Sequence, residues 1–413
     1  MPAPAVTLDP GLGGPERWTL SALVSAAGAR VVARGASVLE LGADVARGLD
    51  RAFAHLARVE EAGAFEPDEH GRFPASASSL APGEAPVDAL VEPVRSALRA
   101  IGVEPQPGYP GGARFAVALT HDIDTPWRWS GRGVLGAGAR LKSAVFEGRF
   151  VDARREAAGL ALAPVHRLRG SDPNWSFARV AELERRHGWT SSSYVLAAHR
   201  DPHDGAAPAA YAARRPDLVR LLLEQGDEVG LHASYTAADD PAALAGERAD
   251  LEALAGRRLR GLRFHYLRMR WPEVVRTLDD LGLAYDTSLG YAERPGPRAG
   301  FSFPFFPWDL DREQPARFVE LPLVLMDATL DEERYLGLTP EEGCQAVDQV
   351  LDALAAVGGC AAVLWHNDRF DRVYGRGWDR VYAHLLDGIE RRGGWAGPAA
   401  AIVDWWRAER CAS

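Results

Sequence analysis

One stretch limits the possible folds more than any other: Phe115-Ala-Val-Ala-Leu-Thr-His-Asp-Ile-Asp-Thr-Pro-Trp127. Phe115 to Leu119 is uninterrupted apolar sequence, Thr120, His121, Asp122 and Asp124 are polar, and Pro126 ends the run. A short apolar run bounded by a breaker predicts a strand buried in a parallel sheet. Parallel α/β sheets and barrels carry their chemistry at the carboxyl ends of the strands. Residues two apart on a strand point the same way, about 6–7 Å from each other. Asp122 and Asp124 therefore converge on one mouth, as a base beside a metal ligand or as an acid/base pair. The competing local reading is a turn or helix N-cap in which Asp only satisfies backbone N–H groups.

The rest of the chain repeats the theme. From Arg114 onward, short apolar runs alternate with helical patterns, which predicts a parallel sheet. About seven such strands over some 300 residues favour a barrel over an open sheet. Strands are expected at Thr190–Leu196, Glu228–His232, Leu262–Phe264, Tyr285–Leu289, Phe318–Leu325 and Ala361–Trp365. Helices are expected at Trp175–His187, Asp217–Gln225, Asp240–Ala255, Pro272–Leu281, Pro340–Val357 and Trp378–Arg391. Residues 131–170 interrupt the rhythm as an inserted helical arm with apolar positions Val145, Phe146 and Phe150. Residues 1–107 form a mainly helical accessory region with no visible chemistry, joined to the barrel by the linker around Pro105–Gly112. Within its helix Pro86–Ile101, Pro93 marks a kink or the true start.

Polar clusters follow most of the apolar runs: His121, Asp122 and Asp124; His232 and Ser234; Arg263, His265 and Tyr266; Asp286 and Ser288; His366, Asn367 and Asp368. In a parallel barrel all five meet on one face. A single histidine at a strand end is commonly structural, and five clusters together are not explained that way.

Composition narrows the chemistry. The chain has 413 residues, a net charge of −10 and no basic run, so nothing points to nucleic acid. Lys142 is its one lysine, and no GxGxxG or GxxxxGKS follows a strand, which weakens Schiff-base and nucleotide-loop readings. Three cysteines, none in a CxxC pair, argue against a thiolate zinc site and fit a reducing compartment. No segment reaches about 18 apolar residues, so no membrane span is expected. The amino terminus has neither the charged nor the apolar part of a secretory signal, and a cytoplasmic location is the expectation.

At these residues a resemblance becomes specific. Roughly residues 114–400 resemble the polysaccharide deacetylase superfamily, the NodB-homology carbohydrate esterases of family 4. Thr120-His121-Asp122-Ile123-Asp124 resembles an Asp-x-Asp variant of the family's opening Thr-Phe-Asp-Asp. The resemblance implies a distorted parallel (β/α)7-type barrel over residues 108–413, with Asp122 as general base and Asp124 as metal ligand. His232 matches the first member of the family's His-x-x-x-His pair, but Thr236 stands in place of the second. Arg263-Phe264-His265-Tyr266 is similar to Arg-x-Pro-Tyr with His for Pro, so His265 could supply the missing imidazole while Arg263 orients Asp122. Asp286 resembles the later Asp signature. Leu364-Trp365-His366 matches the closing Leu-x-His, implying His366 as general acid and Leu364 against the acyl methyl.

The implied cofactor is one divalent metal on Asp124, His232 and His265, zinc first, with cobalt or iron also compatible. The implied reaction is removal of an N-acetyl or related acyl group from a carbohydrate or sugar conjugate, such as an intracellular sugar, a glycolipid precursor or a sugar nucleotide. His366 needs a carboxylate to hold its proton, and Asp286 and Asp368 are the two candidates. Two other readings stand beside this one: a degenerate member acting as a glycan-binding or scaffold module, marked by Thr236, and a metal-free glycosidase using Asp122 and a second acid. His199 and His203 sit in a loop rich in Asp, Pro and Gly that reads as solvated. Trp127, Trp129, Trp271 and Trp308 are either sugar-stacking or packing residues.

Overall fold

The computed structural model describes residues 3–411 apart from 35, 130, 147, 149, 170, 206, 207, 372 and 373. Two short parallel strands open the chain, β1 (Ala5–Val6) and β2 (Arg30–Val31). The main sheet follows: β3 (Ala116–Ile123), β4 (Ser192–Leu196), β5 (Glu228–Ala233), β6 (Gly261–Phe264) and β7 (Tyr285–Asp286). A small antiparallel pair, β8 (Trp308–Asp309) and β9 (Gln314–Pro315), stands apart from it. The main sheet resumes with β10 (Val319–Glu320), β11 (Leu323–Met326), β12 (Cys360–Leu364) and β13 (Trp395–Gly397).

The main sheet runs β10-β7-β6-β5-β4-β3-β12-β11, every pair parallel, with β13 also paired to β3. Its two ends, β10 and β11, are consecutive in sequence. The expected strand Phe318–Leu325 is thus one strand position broken at Leu321-Pro322, where proline has no N–H for a ladder. Counting β10 and β11 together gives seven positions, and the architecture is a distorted parallel (β/α)7-type barrel. All eight residues of β3 are buried, which is why this strand carries no simple apolar/polar alternation. Inside the barrel, Tyr194 and Tyr285 lie over Gly230 and Gly261, where any Cβ would collide with their rings. Tyr194 Oη donates to Tyr285 Oη at 3.2 Å, and Tyr285 Oη donates to Glu228 at 2.8 Å. These large rings are buried without orphaned hydroxyls.

Helices begin where their caps dictate. Thr339 and Glu342 form a reciprocal capping box before Pro340–Val357, and Gly358 ends that helix in the left-handed region at φ 73°. Asp240 accepts from the N–H groups of Ala242 and Ala243 at the head of Pro241–Ala255. In the accessory region the helix is Val91–Ala100, and Pro93 falls in its first turn, where its missing N–H has no partner to lose. One expectation was too short: the helix placed at Asp217–Gln225 runs from Pro208 through Pro216. Residues 131–170 contain two helices, Gly131–Phe146 and Phe150–Arg169, packed as a hairpin. Accessory residues such as Leu20, Val24, Leu56 and Leu98 pack into one apolar cluster with Leu231, Phe301 and Trp406 of the barrel region.

Buried acids complete this packing. The Asp88 carboxylate accepts from Ser302 N–H at 2.8 Å, and burial pushes its carboxyl from 3.8 up to about 7. Between those values the folded chain holds a proton that the unfolded chain has released, so this group's contribution falls as pH rises from about 4 to 7. Asp88→Asn keeps the acceptor and removes the titration. We expect the variant to be more stable than wild type above pH 7 by up to roughly 4 kcal/mol, with the difference vanishing near pH 4. Urea midpoints measured across that range check this, and a difference that does not depend on pH would refute it.

Candidate functional site

Three strand-end histidines, with His203 from the loop after β4, line a cavity of about 380 Å³ at the carboxyl mouth of the barrel. His232 ends β5, His265 follows β6 and His366 follows β12. Each has its Nδ1 tied down. His232 Nδ1 donates to the Arg263 carbonyl at 3.0 Å. His265 Nδ1 is 3.0 Å from Asp204 Oδ1, and His366 Nδ1 is 2.6 Å from Asp327 Oδ1. A ring held this way turns its Nε2 toward the cavity.

Those Nε2 atoms surround Asp124. His232 Nε2 lies 3.0 Å from Asp124 Oδ1, His265 Nε2 3.6 Å from Oδ2 and His366 Nε2 3.8 Å from Oδ2. Asp124, His232 and His265 offer ligand atoms that all lie within 4.8 Å of one another. Asp124 Oδ1 and His232 Nε2 are buried without a hydrogen-bond partner. One carboxylate and two imidazoles, converging and with two of their atoms unsatisfied, form a donor set that fits a divalent cation. The second imidazole of this set, His265, comes from the neighbouring strand. The pair is close because β5 and β6 are adjacent and in register from Leu231↔Leu262 to Ala233↔Phe264.

Asp122 stands beside this set, its Oδ2 3.7 Å from His232 Nε2. Arg263 fixes it. Nη1 of Arg263 donates to Asp122 Oδ1 at 3.1 Å and to Thr120 Oγ1 at 2.8 Å, and Nε donates to the Thr287 carbonyl at 3.1 Å. The guanidinium is fully buried, 4.8 Å above the Tyr194 ring. Leu364 and Met326 add apolar lining to the cavity.

The electrostatics are coupled. Burial raises the Asp124 carboxyl, but His265 and His232 reverse this and hold it well below the usual carboxylate range. Burial lowers His265, while Asp124 and Asp204 lift it to about 9. Burial also lowers His366, and Asp327 lifts it to about 10.

Several expectations change here. Asp286 does not hold His366. It accepts from Ser288 N–H and Oγ, both at 2.8 Å, and shares a buried carboxyl pair with Glu320, whose own carboxyl is raised well above its ordinary range by burial and by Asp286. Asp368 lines the cavity, but its nearest cation is Arg369 at 3.9 Å, and Asp327 takes the role. Asp327 follows β11, so the rule that exposed the other clusters applied to it as well: an apolar run, Leu323–Met326, ending in an acid. The loop after β4 is not simply solvated. Asp204 is 1% exposed and also accepts from Tyr235 N–H at 2.7 Å, and His203 lines the cavity. His199 packs on Tyr211 instead, with ring centres 4.2 Å apart.

His121 points to the opposite face from Asp122, as alternation requires, and meets Glu184 at 2.9 Å. None of the four tryptophans lines the cavity. Trp127 stacks on Trp175, Trp129 packs with Tyr374, Trp308 packs with Trp18 and Phe53, and Trp271 is buried. The accessory region does reach the site: Arg72 lines the cavity and donates to the Tyr266 carbonyl at 2.7 Å. Tyr266 has φ 61°, a left-handed conformation that disfavours side chains. No sequence signal marked Arg72, because it follows no apolar run.

No protein-family model and no curated protein matches the chain. Solved structures do resemble it. A probable polysaccharide deacetylase from Pseudomonas aeruginosa PAO1 is 16% identical, with TM-score 0.49 over 76% of this chain and 97% of that one. PuuE allantoinase is 16% identical, with TM-score 0.49 over 74% and 94%. BA3943, a CE4 family pseudoenzyme from Bacillus anthracis, is 13% identical, with TM-score 0.36 over 72% and 68%. Polysaccharide deacetylases are among its structural neighbours. At these identities the likeness concerns the fold, and the chemistry rests on this chain's own side chains.

Arg263 is the buried cation on which the site turns. Its removal leaves Asp122 and the Asp286–Glu320 pair without their counter-charge. We expect Arg263→Ala to lose about 3–5 kcal/mol of stability, and Arg263→Lys to recover part of it. Denaturant melts of the three proteins check this, and an Arg263→Ala variant as stable as wild type would remove the arginine from that role.

Proposed function

We propose that the protein is a metal-dependent hydrolase that removes an N-acetyl or related acyl group from a carbohydrate or sugar-containing substrate. One observation carries this reading: the converging Asp124, His232 and His265 are flanked by a carboxylate fixed by arginine and by an imidazole fixed by aspartate. Hydrolysis of an amide needs those parts: a polarised carbonyl, an activated water and a proton for the leaving nitrogen. A divalent metal on Asp124, His232 and His265, with zinc the best match to those donors, supplies carbonyl polarisation and a more acidic water.

The protein's own groups do the rest. Asp122, oriented by Arg263, takes the proton of the attacking water. His366, kept protonated by Asp327, gives a proton to the departing amine. Asp204 holds the His265 ring so that Nε2 faces Asp124. Leu364 and Met326 form an apolar wall suited to a small acyl group. Asp286 acts at a distance, as part of the buried acid pair beside Arg263.

The test joins metal content to turnover. Protein loaded with zinc or cobalt is expected to hold about one metal and to release acetate from N-acetylated sugars or oligosaccharides. His232→Ala and His265→Ala should lose the metal, and Asp204→Ala should weaken its binding about 10–100-fold. Asp122→Asn should keep the metal and lose roughly 10²–10⁴-fold in turnover. Protein that binds no metal when supplied with zinc, cobalt or iron would overturn the reading. Full metal binding with no acyl release from any sugar amide would favour a glycan-binding role.

A further inference from the structure

The hairpin Gly131–Phe146 and Phe150–Arg169 presents the wrong face to solvent for an ordinary surface helix. In the second helix Phe150, Arg154, Ala157, Ala161, Val165 and Leu168 fall on one side, and all are exposed. The other side carries the buried Gly159 and Ala163. In the first helix Leu135, Lys142 and Phe146 share one exposed side. Phe146 is 79% exposed, Phe150 70%, Leu135 75% and Leu168 89%. No other part of the described chain gathers so many large exposed apolar residues.

The arm also has its own charge. Residues 131–170 carry eight Arg and Lys against three Asp and Glu, in a chain whose net charge is −10. Lys142, the one lysine, sits 5.8 Å over the Phe146 ring. The hairpin is firmly rooted at the mouth of the barrel. The Asp172 carboxylate accepts from Arg128 N–H at 2.8 Å and from Trp129 N–H at 2.9 Å, closing the base of the arm. Arg128 stacks over Tyr374 at 3.9 Å, and Tyr374 packs so closely on Gly159 that any side chain there would collide. The arm thus leaves the chain just after Asp124 and Thr125 and rests on the segment that follows His366.

We propose that this hairpin docks the protein on an anionic lipid surface. On two adjacent helices, exposed Leu135, Phe146, Phe150, Val165 and Leu168 lie beside the exposed cations Lys142 and Arg154. Such a face suits a deformable apolar layer beneath negative headgroups, with the long cationic side chains reaching back to the headgroups. Binding of this kind is peripheral, consistent with the finding that no helix of the described chain is long and apolar enough to cross a membrane. It brings the cavity mouth close to the lipid headgroups, and it does not depend on the hydrolase reading.

Sedimentation of the full chain with vesicles tests the proposal. Vesicles containing a third phosphatidylglycerol should carry the protein down, and neutral phosphatidylcholine vesicles should bind it at least about tenfold more weakly. Added salt should weaken binding. The doublet Phe146→Ser and Phe150→Ser should lose about tenfold or more in binding with an unchanged circular dichroism spectrum, and so should Lys142→Glu with Arg154→Glu. Protein that stays in the supernatant with both vesicle types, or a serine doublet that binds like wild type, would overturn the proposal. Concentration-dependent self-association abolished by the serine doublet, without vesicle binding, would instead make this face a contact between copies.

Discussion

A buried guanidinium ties the candidate site together. Arg263 lies inside the barrel, where an unpaired charge is untenable. Its partners come from three directions: Thr120 and Asp122 on β3, the Thr287 carbonyl after β7, and the Tyr194 ring on β4. The Asp286–Glu320 pair adds nearby negative charge. The contacts of this one cation through Nε, Nη1 and its face link four strands. Arg263 also fixes Asp122, and through its carbonyl it sets the His232 ring. The candidate base and one candidate ligand therefore depend on the same buried residue.

A second constraint repeats at each imidazole. A histidine can offer a lone pair or a proton in a defined direction only if its other nitrogen is occupied. The Arg263 carbonyl does this for His232, Asp204 for His265 and Asp327 for His366. The partners differ: a backbone carbonyl for His232 and carboxylates for His265 and His366. Asp327 holds His366 high, which suits a ring that carries a proton.

Much of this site was legible in the sequence. Asp122, Asp124, His232, His265 and His366 each sit where an apolar run ends, and a parallel barrel gathers strand ends at one mouth. The closeness of His265 to His232 was legible for the same reason, since adjacent strand ends are close in space. Asp327 obeyed the rule too and was passed over in favour of Asp286 and Asp368, because sequence distance does not say which acid faces which ring. Asp204 and Arg72 were hidden. One lies in a loop whose Asp, Pro and Gly content suggests solvent, and the other follows no apolar run. The tryptophans were left open between two readings, because residue type does not distinguish stacking on a sugar from packing in a core.

The sequence alone determined the barrel class, the strand ends that carry chemistry and the residue types that converge there. Apolar periodicity and the ends of apolar runs are local properties, written in order along the chain. The tertiary structure decided which carboxylate serves each histidine, that the accessory region reaches the cavity, and that the 131–170 arm leaves large apolar side chains exposed. Those outcomes depend on contacts between residues far apart in sequence, such as Arg72 with Tyr266 and His366 with Asp327. No local pattern encodes such a pair, because its geometry exists only once the strands between have closed around the core.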